Sequence, residues 1–215
     1  MGKKILCLAT RNRHKAEEMA PALALFWEVK CSADYPGIGE EIEETGDTFL
    51  ANATIKAVAT SRAISDYVLA DDSGLEVDAL AGAPGVFSAR YGGVPSSTEK
   101  NNAKLLEELA RAGATAPEQR QARYRCVLVL AKEGRALASF DGVCDGTIAS
   151  GPKGTQGFGY DPLFVPAGYV KTFGELSGKT KANLSHRALA LKKFIAWCKK
   201  SCGRQVLADG SEASP

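Results

Sequence analysis

The stretch YVLADDSGLEVDAL, residues 67–80, decides how the chain is read. A short apolar run, Tyr67 to Ala70, ends in two adjacent carboxylates, Asp71 and Asp72, followed by Ser73 and Gly74. That is the pattern of a buried strand that stops at a turn and holds acids at its tip. Neighbouring side chains on a strand point to opposite faces, so the two acids need not share a role. Oxygen ligands at a strand end suit a hard divalent cation such as Mg²⁺. A plain surface turn is the structural alternative, because Asp, Ser and Gly are common turn formers.

The sequence around this stretch has 215 residues, 45% of them hydrophobic and 24% charged, enough for one good core. No linker forces a second domain. Residues 1–200 read as one domain and 201–215 as a flexible tail, since periodicity is lost after the last helix. A formal net charge of +2 excludes a polycation built for nucleic acid. The six cysteines form no CxxC pair, and two histidines are too few to suggest a zinc site. The cysteines read as free thiols of a reducing compartment. MGKKILCLAT is too short in apolar length for a signal peptide, and no run approaches membrane-spanning length. A soluble, cytoplasmic protein with no membrane partner is expected.

In chain order, Lys3–Ala9 reads as a strand and TRNRHK (10–15) opens a helix capped by Thr10 or Asn12, with Pro21 kinking it or marking its true start. Trp27–Ser32 is a second strand and 34–47 an acidic loop. Asp47 or Thr48 starts a helix with Phe49, Ala53, Ala57, Thr60 and Ile64 on one face. After the DDSG turn, 80–93 is too rich in Gly and Pro for a regular element. Ser96 to Glu99 fits a capping box for a helix stopped by Gly113. Arg123–Ala131 and Arg135–Phe140 form a hairpin about Glu133-Gly134, and Leu163–Val165 is a short strand. A last helix runs from about Ser185 to Lys200, with Leu189, Ile195 and Cys198 inward. The class is α/β with a mixed sheet, and ligands in such sheets bind beyond the strand carboxyl ends, where TRNRHK and DDSG lie.

Several groups there can carry chemistry. The helix start at TRNRHK, with Lys15 one turn in, suits a phosphate; a capped helix with a solvated basic turn is the plainer reading, although cations there oppose the helix dipole. Glu43 and Glu44 are a surface charge run or further metal oxygens. Lys56 reads as a snorkelling lysine. GTQGFGYDP (154–162) brings backbone and the rings of Phe158 and Tyr160 towards a purine, or is a turn with core aromatics. Lys181, His186 and Arg187 put donors at the last helix start. No GxSxG elbow accompanies Ser185 and His186, so a serine nucleophile is not expected.

LATRNRHK, EETGDTFLANATIKA, ADDSGLEVDALAGAPGVFSARYGG, GFGYDPLF and LSHRALAL occur in the order found in the inosine triphosphate pyrophosphatase family, the Ham1-like or RdgB-like XTP/dITP diphosphatases, which the chain resembles from Lys3 to about Trp197. The resemblance implies a two-lobed α/β fold around a long mixed sheet flanked by helices, with the active-site cleft between the lobes. It implies Mg²⁺-dependent hydrolysis of ITP, dITP and XTP to the monophosphate and pyrophosphate, and a homodimer. Thr10, Asn12 and Lys15 then match the triphosphate motif, with Arg11, Arg13, His14 and Lys56 as further candidate contacts. Glu44 and Asp72 match the metal ligands, Asp72 also being the proton acceptor and Lys15 a catalytic cation. Ser73 matches a substrate contact, Phe158, Gly159, Tyr160 and Asp161 the base loop, and Lys181, His186 and Arg187 residues around the base. Arg11 and Gln156 stand where glycine is frequent. The alternatives are a Maf-like nucleotide pyrophosphatase of other specificity and a non-catalytic nucleotide-binding module.

Overall fold

The computed structural model describes residues 2–35, 38 and 42–202. Parts of the acidic loop and the tail from 203 lie outside them. Six strands form one sheet in the order β2-β1-β3-β4-β5-β6. They are β1 (Ile5–Leu8), β2 (Glu28–Cys31), β3 (Tyr67–Val77), β4 (Gln121–Lys132), β5 (Arg135–Ile148) and β6 (Phe164–Pro166). β1 is parallel to β2 and β3, and the other pairs are antiparallel, so the sheet is mixed. The helices are α1 (Arg13–Leu23), α2 (Phe49–Ala63), α3 (Thr98–Arg111), α4 (Gly178–Leu184) and α5 (His186–Cys202).

Local chemistry sets most boundaries. Asn12 caps α1, its side chain accepting from the N–H groups of His14 and Lys15. Pro21 neither starts α1 nor ends it at once; it sits in the last turn, where the helix runs on to Leu23. Thr48 caps α2 and Ser97 caps α3, one residue later than the SxxE pattern suggests. Glu133 (φ 52°) and Gly134 (φ 74°) both take positive φ in the β4–β5 turn, as a tight hairpin of right-twisted strands requires.

The principal correction concerns DDSG, which is not a turn. β3 continues through it to Val77, and Asp71, Asp72, Ser73 and Gly74 pair with Leu128, Val127, Cys126 and Arg125 of β4. β1 ends opposite Leu69, so the two acids stand just beyond its carboxyl end while remaining inside β3. Gly74 is needed for close approach: a Cβ there would lie 2.5 Å from the Gly85 carbonyl and the Ser88 hydroxyl. The 80–93 segment accordingly folds back as 3₁₀ turns at Asp78–Leu80 and Gly85–Arg90, with the Ser88 hydroxyl accepting from Leu75 N–H at 2.9 Å. β5 likewise runs eight residues beyond Phe140, to Ile148. Gly142 within it lets α5 lie directly on the strand. α4 has no counterpart among the expected elements.

The core divides into three clusters. One lies under α1 and α5 (Leu6, Leu8, Met19, Leu128, Leu130, Phe194). A second lies on the opposite face under α2, where Ala53 and Ala57 let the helix sit close to Val68, Ala70 and Val129. The third fills the far end of the long strands beneath α3 and the β6 region (Leu75, Leu105, Leu109, Tyr124, Phe164, Phe173). The first two build one lobe and the third the other, with the cleft where they meet. In α5, Ala190, Leu191 and Phe194 are the deep residues with Cys198; Leu189 and Ile195, expected inward, are only half-buried.

Candidate active site

A cavity of about 460 Å³ opens at this junction. Asn12, His14 and Lys15 line it from the start of α1, Asp72 and Ser73 from β3, and Glu44 from the loop before α2. Phe158 to Asp161 line it from the Gly-rich loop, and Lys181, His186 and Arg187 from α4 and α5. Thr10, Arg11, Arg13 and Lys56 are not among its lining residues. Thr10 instead fixes the loop, its hydroxyl accepting from Asn12 N–H at 3.1 Å, and Arg13 pairs outward with Glu17 at 2.8 Å. Arg11 is exposed.

The two acids of β3 face different partners. The Asp71 side chain, 0% exposed, meets Lys15 and the Arg187 Nε at 3.1 Å. It also lies 3.2 Å from the Ser73 hydroxyl and 3.0 Å from Cys126 Sγ. Burial pushes its pKa up, but Arg187 and Lys15 outweigh burial and hold it well below the usual carboxylate range. Asp72 turns to the other side, toward Glu44 and Lys56. Burial, reinforced by Glu44 and opposed by Lys56, raises its pKa to about 6. Its Oδ1 accepts from Ser73 N–H at 3.0 Å, and its buried Oδ2 has no hydrogen-bond partner. Lys56 is no surface lysine. Its ammonium donates to Glu44 at 2.6 Å and to the Asp71 carbonyl at 2.7 Å, and lies 3.8 Å from Asp72.

A metal can be tested against this donor set. Among the described residues no group of three or more His, Cys, Asp or Glu could cage one. Two carboxylates beside an open cavity, one with an orphan oxygen, instead fit a small hard cation that takes its remaining oxygens from phosphate and water. The loop carrying Glu44 is pinned by Asn52, whose Oδ1 accepts from Gly46 N–H at 2.8 Å.

From Asp71 a row of alternating charges runs to the Gly-rich loop. Arg187, 1% exposed, joins Asp71 to Glu18 and donates to the Ser73 hydroxyl at 2.8 Å. Glu18 meets Lys181 at 2.7 Å, and Lys181 meets Asp161 at 2.5 Å. Asp161 closes the loop on itself by accepting from Phe158 N–H at 2.8 Å. Burial works against charge on Glu18, yet Arg187 and Lys181 hold its pKa down. Much of the donor capacity of Arg187 and Lys181 is therefore committed to protein carboxylates. His186, stacked 4.6 Å from Tyr124, is pushed well below its usual pKa by burial and then by Arg187, and is neutral. Tyr160 is not an open platform: it is buried and its hydroxyl donates to the Ser88 carbonyl at 2.8 Å. Phe158 is half-buried and does face the cleft. Glu18 was missed in the sequence; its one signal is its place a helical turn after Lys15. Arg90, Ser97 and Asn101 also line the cavity, and none of them was a candidate site residue in the sequence.

A profile described as the Ham1 family matches residues 6–197. The chain belongs to the Ham1 family. The match spans both lobes and every element that lines the cleft, from β1 to α5. Ham1-family relatives include a dITP/XTP pyrophosphatase of Desulforamulus reducens, 46% identical over 191 residues that cover 88% of this chain and 93% of that protein. Another, from Halalkalibacterium halodurans, is 47% identical over 88% of this chain and 96% of that protein. Among solved structures, the Staphylococcus aureus Ham1 protein superposes with a TM-score of 0.82 at 36% identity. That comparison covers 92% of this chain and 100% of the other. The two-lobed mixed-sheet architecture is thus that of known Ham1 structures.

Proposed function

We propose that this chain hydrolyses deaminated purine nucleoside triphosphates (ITP, dITP and XTP) to the monophosphate and pyrophosphate. The Ham1 membership supports the reading, as do relatives named dITP/XTP pyrophosphatase at close to half identity over most of both chains. The observation that carries it is that Asp72, with its orphan oxygen, and Glu44 line the same cleft as Phe158 and His186.

Glu44 and Asp72 would hold Mg²⁺, which when bound neutralises phosphate oxygens and acts as a Lewis acid. Lys15 and the start of α1 take up charge on the pyrophosphate leaving group, although Asn12 already occupies two N–H groups there. Water attacks the α-phosphorus, the bond to the bridging oxygen of the pyrophosphate breaks, and a carboxylate takes the water proton. Asp72 is the carboxylate assigned that role, its buried Oδ2 having no hydrogen-bond partner in the protein. Selectivity requires donors that adenine's amino group would leave unpaired. The neutral His186 ring and the Lys181 ammonium, which also line the cleft, are the donors this reading assigns to a 6-oxo oxygen.

The decisive assay measures pyrophosphate released from ITP, XTP, GTP and ATP, with and without Mg²⁺. Asp72→Asn is expected to lower turnover by about two or more orders of magnitude while the protein folds. Equal rates on ATP and ITP would remove base reading, and no pyrophosphate from any of them would leave a binding module. The chain is further proposed to act as a homodimer, testable by light scattering. A cytoplasmic location accords with the free cysteines among the described residues. No described helix is long and apolar enough to cross a membrane.

A further inference from the structure

His14, in the first turn of α1, and Phe158, on the Gly-rich loop, both line the cleft. Their rings stack with centroids 5.2 Å apart and planes at 14°. Both also line a second cavity of about 660 Å³ between α1 and α5, so the stacked pair, with Lys181 and Arg187, borders both spaces. The two partners are held very differently. Phe158 is tied by its own N–H to Asp161, and its ring carries the Lys181 ammonium 4.6 Å and the Arg187 guanidinium 5.8 Å from its centroid. The His14 side chain is 62% exposed, its other contact being Glu17 at 3.7 Å. A purine inserted between the rings would need planes roughly 7 Å apart, two van der Waals thicknesses, so the stack must part before a base can lie on Phe158. The lightly held imidazole is the ring that gives way.

We infer that His14 occupies the purine's place on Phe158 in the empty protein, so that imidazole and substrate base compete for one aromatic face. His14 is then an affinity-setting residue: a base binds only as tightly as its stacking exceeds that of the imidazole. The inference rests on reading the cleft as a purine nucleotide site. Removing a stacked competitor returns the fraction of protein it had blocked. For an aromatic pair of ordinary strength that is about a two- to twelvefold gain in apparent affinity.

With two histidines in the chain, histidine-labelled protein gives two separate ring signals. In the free protein His14 is expected upfield from the Phe158 ring current, and Phe158→Leu should abolish that shift. Titration with inosine monophosphate should return the His14 signal to its unstacked position, and inorganic pyrophosphate alone should not. His186, which lines the same cleft, reports nucleotide binding independently. If His186 responds while His14 stays stacked, the competition is refuted and the nucleotide site stands. If neither responds, the nucleotide site and the inference fail together. In kinetics, His14→Ala should lower KM for ITP by about two- to twelvefold, and His14→Phe, which keeps a ring on Phe158, should restore it. An unchanged or raised KM in His14→Ala overturns the proposal.

Discussion

Replacing Arg187 with methionine tests whether the charged row is structural. The guanidinium is 1% exposed and bonds Asp71, Glu18 and Ser73 at once. Methionine fills similar volume, so cavity formation is minor and the cost is the stranded charge. Removing one partner of a buried ion pair costs about 3–5 kcal/mol. Here the two anions differ. The Glu18 side chain is 26% exposed and can rehydrate, whereas that of Asp71 is 0% exposed and keeps Lys15 as its one paired cation beside the Ser73 hydroxyl and Cys126. The lower end, about 3 kcal/mol, is therefore expected, equivalent to about 6–12 °C in Tm for a chain of this length. Urea denaturation of Arg187→Met, Asp71→Asn and the double variant, compared at equal slope, supplies the measurement. The double variant should be more stable than the sum of the singles implies by about 2 kcal/mol, because neither member of the Asp71–Arg187 pair is then left without the other. A single-variant loss under about 1 kcal/mol, or additivity within about 0.5 kcal/mol, would refute the claim that burial makes this row costly to break.

His186 gives a pH-dependent expectation. Its folded pKa is depressed, so between that value and the unfolded value near 6.5 the unfolded chain binds the extra proton and stability falls with acid. Denaturation midpoints from pH 7.5 to 5 should show a loss approaching about 1.4 kcal/mol per unit below about pH 6.5, relative to His186→Phe; parallel profiles for the two proteins would count against a buried neutral imidazole. Gly142→Ala should destabilise by about 3 kcal/mol or more, read by thermal melting, because its Cβ would lie 2.0 Å from the His186 carbonyl oxygen and 2.5 Å from Ala190 N, both rigid backbone. Lys56→Met leaves Glu44 and Asp72 without the cation between them. Pyrophosphate release should fall by about tenfold or more, and a wild-type rate would detach Lys56 from the site.

What was legible in the sequence was local. The Asn12 and Thr48 caps, the Glu133-Gly134 turn and the alanine face of α2 each depend on residues within a few positions, and each appears as expected. The misreadings share one cause. Asp71 to Gly74 have turn composition, and strand pairing prevails because Arg187, more than a hundred residues on, neutralises one acid while Ser88 and Gly85 pack against the glycine. The expected strand ends at Phe140, yet β5 runs on through Gly142 and Gly146, where α5 and the β6 region press against it. Glu18 stayed hidden because an acid on a helix declares itself only when its partners, Lys181 and Arg187, are folded beside it. The motif residues were found as a set, but whether each faces the cleft or braces it was not readable from their order.

The row Lys15, Asp71, Arg187, Glu18, Lys181, Asp161 alternates in sign along its whole length. Each inner member answers to two neighbours, so a neutral replacement orphans a charge on either side and a reversal sets like beside like. Drift at these sites should therefore proceed only by paired exchange, and slowly. A lineage adapting this cleft to another base has freer ground at positions the row does not bind, such as His14, which borders the cleft without carrying its electrostatic frame.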